Sequence, residues 1–521
     1  MGIDVVGPAR TKPTLEGAGG IEGLQAAVAG LWTPRRFVIA LVATAVVFGL
    51  HVNRSWRVTP DSGLYLSLAR SLNEAGAYRF GGETHTLVPP GYPLLLAGVR
   101  ALVGDHFLGL RVVHAAMGWL STVVAFLAMR RLYGRDVAFA VFLLFAVSHS
   151  LVKRSACFLS DVPFALVVWL VLLAVVYAAT AKRYRWVLAL VAGVGLQVAM
   201  LVRINGWGLV PPVLLFLWLA WWGEGLRRYG RLLLVSAVAV AVPLFWMIWT
   251  LAVDVPGKLT YVQAVLSRGP AFFRVWLDGL MGYPHAMAVA IMGFPDVPPV
   301  VDLVVLVPAA IGLVVCLRGG RVLLALLVLF QWVGLALSTP GERYLIAVLP
   351  ALHLLGLVGL ALLVNGLKSR RRALLLALCG GLVAINVGRD AKSIWEAHTA
   401  VPHGAEPADK QYWFDAAAAL RQRLAGAPES ALIVTQQVTI AHYLTRARCL
   451  SPWALADMDQ VPTSGLYVLL GGENETAWDD VRDFAERTGA RIQTLQHYGP
   501  LRLARIVARP SEFSGPVPTR K

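Results

Sequence analysis

The sequence predicts an all-α polytopic membrane protein of about eleven spanning helices, followed by a small C-terminal α/β domain outside the membrane. Three observations predict it. Of the 521 residues, 57% are hydrophobic and 15% charged, with a mean hydropathy of +0.64. A water-soluble chain of this size needs a more polar surface. The apolar residues also come in blocks rather than at amphipathic spacing, and a block of about 20 helical residues crosses a hydrocarbon core of ~30 Å. Finally, lysines and arginines collect in short clusters between alternate blocks.

The blocks that predict spans are 36–53, 107–129, 137–152, 159–180, 186–203, 206–222, 232–253, 300–317, 322–338, 344–364 and 372–388. The block at 137–152 is short, and 206–222 contains Pro211 and Pro212, so both are expected to be broken or tilted. Orientation follows from the cations. Arg130, Arg131 and Arg135 form one cluster, and Lys182, Arg183 and Arg185 a second. Arg227, Arg228 and Arg231 form the third, Arg318 and Arg321 the fourth, and Lys368, Arg370, Arg371 and Arg372 the fifth. These loops share a face with the N-terminus, and the positive-inside rule makes that face cytoplasmic.

The expected organisation is therefore a cytoplasmic segment 1–35 and a transmembrane domain 36–388 with outer loops 54–106 and 254–299. An extracytoplasmic part, 389–521, follows. The arginines at 35 and 36 precede the first apolar block, which reads as an uncleaved signal anchor in an inner (plasma) membrane. Strand-like runs at Ala431–Thr435, Leu466–Leu470, Arg491–Leu495 and Leu503–Val507 alternate with helical stretches at Tyr412–Leu424, Thr439–Leu444 and Trp478–Thr488. The Pro- and Ser-rich tail after Arg509 is expected to be disordered.

A net charge of +17 raises nucleic acid as a partner, but clustering between apolar blocks argues against it. The four cysteines, Cys157, Cys316, Cys379 and Cys449, show neither a CxxC motif nor metal-ligand spacing. No nucleotide-binding glycine motif and no internal repeat is present.

Both long loops and the terminal domain fall on the outer face, so function is expected there. The first loop opens Thr59-Pro60-Asp61-Ser62-Gly63-Leu64-Tyr65. Two readings of Asp61 are open: the N-cap of a following helix, or a carboxylate at the membrane surface that accepts a proton from a hydroxyl. Pro89-Pro90-Gly91-Tyr92-Pro93 then sets a turn before an apolar helix, with Glu83 and His85 just upstream. Lys153 and Arg154 break the positive-inside pattern, and Asp161 sits at the membrane edge. Arg203 ends one block, and Arg343 lies in Pro340-Gly341-Glu342-Arg343-Tyr344 at the start of another. Each cation reads either as a snorkelling or paired side chain, Glu342 with Arg343 for example, or as part of an anion site at the lipid boundary.

Taken in order, these residues resemble the GT-C membrane glycosyltransferases. Within them, the chain looks like the bacterial group related to protein O-mannosyltransferases and the lipid A aminoarabinose transferase. The resemblance rests on Asp61 with Tyr65, the turn Pro89–Pro93, Asp161 with Pro163, Arg203, and Arg343-Tyr344 with Pro350. It implies a sugar donor carried on polyprenyl phosphate and an acceptor hydroxyl on the outer face, with inversion at the anomeric carbon. It makes Asp61 the catalytic base and Asp161 a second acid that positions the acceptor or pairs with an arginine. Arg203, Arg343, Lys153 and Arg154 then hold the donor phosphate, and Tyr65, Glu83, His85, Tyr92 and Tyr344 line the substrate pocket. The partners expected are the donor lipid, membrane lipids and an acceptor that is a protein, a lipid or a polysaccharide.

The chain departs from many relatives in having Ser62 where they carry an acidic residue after the first. No required cofactor is expected; a divalent cation is compatible but not indicated. Two other functions stand beside the enzyme. A flippase or transporter of lipid-linked saccharides needs charges near mid-membrane, whereas here they cluster at helix ends. A non-catalytic scaffold presenting the terminal domain leaves Lys153, Arg154 and Asp161 unexplained.

Overall fold

Nearly every predicted apolar block is helical in the computed structural model. It describes residues 19–52, 59–104, 106–181, 183–253, 263, 269, 271–294, 298–338, 340–365, 370–399, 411–424, 432–462, 466–471 and 475–507. The expectations for the first residues of the chain and for the tail after Arg509 lie outside these. The helices are α1 (Gly19–Val28), α2 (Pro34–Leu50), α3 (Pro60–Ala75), α4 (Gly91–Val103), α5 (Phe107–Tyr133), α6 (Arg135–Ala146), α7 (His149–Ser155), α8 (Asp161–Thr180), α9 (Arg185–Val202), α10 (Val210–Ala220) and α11 (Leu226–Ala252). They continue as α12 (Ala271–Met292), α13 (Pro299–Arg318), α14 (Val322–Leu335), α15 (Leu349–Leu363), α16 (Arg371–Thr399), α17 (Gln411–Arg423), α18 (Val438–Thr445) and α19 (Glu475–Arg487).

The chain is a multi-pass membrane protein. Six described helices are long and apolar enough to cross a bilayer: α5, α8, α9, α11, α13 and α16. A further crossing is available if α6 and α7, bent by 56° at their junction, form one broken span. The other predicted blocks form shorter helices. The block at 206–222 divides into a 3-10 turn, Ile204–Leu209, and α10, whose first turn holds Pro211 and Pro212. Proline lacks an N–H and is tolerated where the first-turn donors are unpaired anyway. The block at 344–364 begins instead with a 3-10 turn, Glu342–Leu345, and helix resumes only at Leu349.

The chain divides into two compact units. The first takes in residues up to Asn53, then Thr86–Leu95 and Leu102–Ala397. Within it α13 and α15 lie backbone to backbone. A Cβ at Gly312 would collide with the Leu355 carbonyl, and one at Gly359 with the Pro308 carbonyl. Lipid gives helices no hydrophobic reason to associate, so close approach through small residues supplies the attraction. Gly359→Ala and Gly312→Ala are each expected to cost about 1–3 kcal/mol by overpacking. Gly356→Ala, with open space around it, is the neutral control on the same helix. Thermal denaturation in detergent measures the difference.

Helix α1, which the sequence reading did not anticipate, is buried in the same unit through Ile21, Leu24, Ala27 and Val28. Its neighbourhood ties down the loops assigned to the cytoplasmic face. Gln25 Nε2 donates to the Tyr133 carbonyl (3.2 Å), the Trp32 amide to Asp136 (2.8 Å) and Arg321 Nη1 to the Leu132 carbonyl (2.9 Å). Arg185 and Arg231 both pair with Glu224.

The second unit joins Arg54–His85, Leu96–Ala101 and His398–Lys521. Most of the first loop is thus grouped with the terminal domain, while its stretch Thr86–Leu95 belongs to the first unit. The expected boundary at 388/389 also falls inside α16, which runs unbroken to Thr399. The unit holds a five-stranded sheet in the order β4-β3-β5-β7-β6, formed by β3 (Leu432–Val434), β4 (Arg448–Leu450), β5 (Leu466–Gly471), β6 (Arg491–Tyr498) and β7 (Leu501–Val507). Strands β4, β3 and β5 are parallel, with Val434 opposite Val468; β5–β7 and β7–β6 are antiparallel. Central β5 reads Leu-Tyr-Val-Leu-Leu and is buried throughout, as a strand covered on both faces should be. Its neighbours in the core include Leu432, Val434, Trp478, Val481, Phe484 and Ile506, each fully buried apolar side chain contributing roughly 1.5–3 kcal/mol. A small hairpin, β1 (Arg79–Phe80) and β2 (Glu83–Thr84), follows α3.

Within this unit α3 lies on α18. Gly63 has no room for a Cβ, which would come within 2.9 Å of the Thr439 backbone. Thr439 Oγ1 donates to the Pro60 carbonyl (2.7 Å). Arg70 Nη1 donates to the Tyr443 carbonyl (2.9 Å), and its guanidinium lies 4.2 Å from the centre of the Tyr443 ring.

Candidate active site

In the first unit, α8 and α9 deliver a buried carboxylate and an arginine to one point. Asp161 is the first residue of α8, and Arg203 follows the last residue of α9. The Arg203 backbone is extended (φ −155°, ψ 135°), so the helix stops there. Two glycines press on that last turn: a Cβ on Gly91 would lie 2.6 Å from the Leu201 carbonyl carbon, and one on Gly206 would lie 2.5 Å from the Met200 nitrogen. Gly91 therefore serves a close backbone approach, and the Pro89–Pro93 turn acts by fixing the end of α9.

Arg203 Nη1 lies 2.7 Å from Asp161 Oδ1. The contact is an ion pair rather than an aligned hydrogen bond, because the Nη1 hydrogen bond goes to Ser160 Oγ at 3.0 Å. The Asp161 side chain is 2% exposed. Ser160, not Asp161, occupies the cap position. Of the two roles expected for Asp161, pairing with an arginine is the one this geometry meets.

Arg203 and Arg343 share one aromatic ring. Their guanidinium carbons lie 4.7 and 4.8 Å from the centre of Tyr344, and Arg343 Nη2 donates to the Tyr344 hydroxyl at 2.8 Å. Tyr283, which interacts electrostatically with Arg203, Arg343 and Tyr344, is fully buried, its hydroxyl 2.7 Å from Ser338 Oγ. Burial raises its pKa to about 12, against the opposing effects of the Ser338 bond and the charges of Arg203 and Arg343.

Lys153 and Arg154 close α7. Arg154 Nη2 lies 2.6 Å from Glu342 Oε1, so the Glu342–Arg343 pair considered from sequence gives way to a Glu342–Arg154 pair. Burial pushes the Glu342 carboxyl up, but the Arg154 hydrogen bond and the charges of Arg154 and Lys153 outweigh it and hold it below its ordinary value. Arg154 is thereby committed to a carboxylate, while Lys153 is exposed. Tyr92 is fully buried against His114, ring centres 6.2 Å apart, and packs rather than lining an open pocket. His114 was not singled out from sequence. Its ring nitrogens reach the carbonyls of Ser155 (3.2 Å) and Leu159 (3.0 Å), which pins the loop leading to Asp161.

The other candidates belong to the second unit. Thr59, not Asp61, caps α3: Thr59 and Ser62 bond each other's amides in a capping box, leaving Asp61 half-buried in the first turn. Ser62, the departure from many relatives, thus has a structural use. Tyr65 stands one turn further along α3. Glu83 lies 3.0 Å from Arg448. His85 is buried, edge-on to Tyr78 and Phe80. Among the described residues no three His, Cys, Asp or Glu side chains are grouped to hold a metal ion. All four cysteines are free.

The fold is similar to that of membrane glycosyltransferases of the aminoarabinose transferase type. The family described as dolichyl-phosphate-mannose-protein mannosyltransferase matches residues 87–249. An undecaprenyl phosphate-alpha-4-amino-4-deoxy-L-arabinose arabinosyl transferase of Pseudomonas fluorescens is 28% identical over 226 residues, 41% of this chain and 37% of that protein. An uncharacterized protein of Aquifex aeolicus is 25% identical over 193 residues, 36% of this chain and 38% of its own length. The matched regions thus span under two-fifths of these relatives. Among solved structures, ArnT of Cupriavidus metallidurans bound to undecaprenyl phosphate aligns with 93% of this chain and all of its own, at TM-score 0.59 and 16% identity. The Archaeoglobus fulgidus oligosaccharyltransferase in complex with an inhibitory peptide and a dolichol-phosphate aligns with 92% of this chain and 75% of its own, at TM-score 0.54 and 12% identity. At such identities the likeness is one of fold.

Proposed function

We propose that this protein is an inverting glycosyltransferase that moves a hexosyl or pentosyl group from a polyprenyl-phosphate donor to an acceptor hydroxyl on the outer face of an inner membrane. The N-terminus is cytoplasmic in this reading, the terminal domain is extracytoplasmic, and the shorter apolar helices join the longer ones in about eleven crossings. The acceptor hydroxyl attacks the anomeric carbon, and Asp61 takes its proton. The bond from that carbon to the phosphate oxygen breaks with its electron pair, so configuration inverts and polyprenyl phosphate departs.

The observation that carries the reading is the pair of guanidinium groups held on Tyr344, with Arg203 anchored by the buried Asp161. Arginines preorganised at a helix end match a phosphate's charge and geometry, and fixed cations stabilise the negative charge that grows on the leaving group. Arg203 and Arg343 are the principal phosphate ligands; Lys153 adds charge, and Arg154 contributes only by exchanging Glu342 for phosphate. A donor tail in lipid and a phosphate at the interface suit a chain whose charges gather at helix ends.

The test is sugar transfer in proteoliposomes supplied with radiolabelled polyprenyl-phosphate sugars. Label reaching an acceptor, with free polyprenyl phosphate released in equal amount, is expected. Movement of intact donor across the bilayer with no transfer from any donor would replace the enzyme with a transporter.

A further inference from the structure

The second unit contains a polar cleft, lined in part by Glu83. Its volume is ≈630 Å³, within the range of about 300–1,000 Å³ usual for small-molecule sites. One wall is the face of α3 downstream of Asp61, with Ser67, Arg70, Ser71 and Glu74. The β1–β2 hairpin adds Arg79, Gly81, Gly82 and Glu83, and the terminal domain adds His442, Arg446 and Arg448.

Four arginines thus face two glutamates. Each glutamate has an arginine partner: Glu74–Arg446 at 3.2 Å and Glu83–Arg448 at 3.0 Å. All four side chains are more than two-fifths exposed, and pairs of this kind are worth only about 0–1 kcal/mol, so an incoming anion competes for the guanidinium groups at little cost. Arg79 has no ion-pair partner among the described residues. Arg70 spends Nη1 on the Tyr443 carbonyl, while its buried Nε has no hydrogen-bond partner among the described residues. Burial, with the charges of Arg100 and Arg446, holds the Arg70 guanidinium below its ordinary pKa. Ser67 is 5% exposed, and its buried Oγ is likewise without a partner there. A buried hydroxyl left unpaired costs about 1–3 kcal/mol, which a ligand hydroxyl or oxyanion would recover.

The geometry points to an acceptor subsite for an anionic saccharide, one bearing phosphate or carboxylate beside its hydroxyl groups. Arginine forks recognise the anion, and Ser67 and Ser71 recognise hydroxyls. The cleft runs along α3, the helix that carries Asp61, from Ser67 to Glu74. Its description as the acceptor's subsite rests on the glycosyltransferase reading; its preference for anions does not.

Isothermal titration of the full-length protein in zwitterionic nanodiscs, without donor lipid, tests it. The probes are glucose 6-phosphate, glucuronate and uncharged glucose, which separate phosphate from carboxylate. At least one anionic sugar is expected to bind about tenfold or more tighter than glucose, the factor that corresponds to one charge-assisted hydrogen bond. Salt should weaken that binding. Arg79→Gln and Ser67→Ala should each reduce it about five- to tenfold, and Glu74→Gln with Glu83→Gln should tighten it, because two competitors for the arginines are gone. Arg70→Gln risks the fold by freeing the Tyr443 carbonyl, whereas exposed Arg79 does not. Glucose binding as well as either anion, or anion affinity unmoved by Arg79→Gln and Ser67→Ala, would overturn the subsite. Sugar transfer with no anion binding defeats the subsite alone. Anion binding in a protein that transfers no sugar keeps the site and defeats its role as the acceptor's.

Discussion

Asp61→Asn is expected to lower the rate of sugar transfer by about 10²–10⁴-fold, the usual contribution of a positioned general base. The variant should stay folded, which is what makes the result interpretable. The helix start is secured by Thr59 and Ser62, whose reciprocal hydrogen bonds do not involve the Asp61 carboxylate. The loss of one negative charge from the first turn costs about 0.3–1 kcal/mol of interaction with the helix dipole. Asparagine is nearly the same shape, so donor binding should persist while the chemical step slows. The measurement is single-turnover transfer in proteoliposomes, with thermal unfolding in detergent as the control for folding. Full transfer by Asp61→Asn would remove Asp61 from the base role. Asp161 would be a poor successor, since its carboxylate is buried and held by Arg203.

The second large effect is expected at that ion pair. Arg203→Ala leaves the Asp161 carboxylate, 2% exposed, without its counter-charge, and breaking a buried pair from one side costs about 3–5 kcal/mol. Asp161→Ala strands the Arg203 guanidinium, which is 14% exposed and retains Ser160 and the Tyr344 face, so its cost should be smaller. The double variant Asp161→Asn with Arg203→Gln removes both charges and should regain most of the stability lost by Arg203→Ala. It should not regain donor binding, because the phosphate has lost a ligand. Thermal unfolding of the two singles and the double gives the coupling, and binding of polyprenyl phosphate gives the functional arm. If the double variant binds donor like the native protein, Arg203 is structural only, and the phosphate site must be sought around Arg343 and Lys153.

What the sequence by itself determined follows from solvent and periodicity. Blocks of apolar residues must be helical in lipid, because a backbone without water has to satisfy its own hydrogen bonds. The long helices therefore lie close to where hydropathy put them: 107–129 became Phe107–Tyr133, and 159–180 became Asp161–Thr180. The strand runs of the terminal segment were legible from their alternation with helical stretches, and Leu466–Leu470 is a buried strand. The arginines at helix ends were visible as charges in positions that lipid makes costly.

Only the tertiary structure decided the partners. No spacing in the chain announces that Glu342 will choose Arg154 over its neighbour Arg343, or that Arg203 and Arg343 will meet on Tyr344. Nor does it announce that Tyr92 is buried while the adjacent Gly91 does the positional work. Strand β4, three residues long, is recognisable only through its register with Leu432–Val434. The grouping of α3 with the terminal domain depends on Gly63 against Thr439, Arg70 with Tyr443 and Thr439 with Pro60, contacts each spanning more than 360 positions in sequence. Hydropathy reports which solvent each residue faces. Charge pairing and backbone contact depend on which helix ends are brought together, and that is a property of packing.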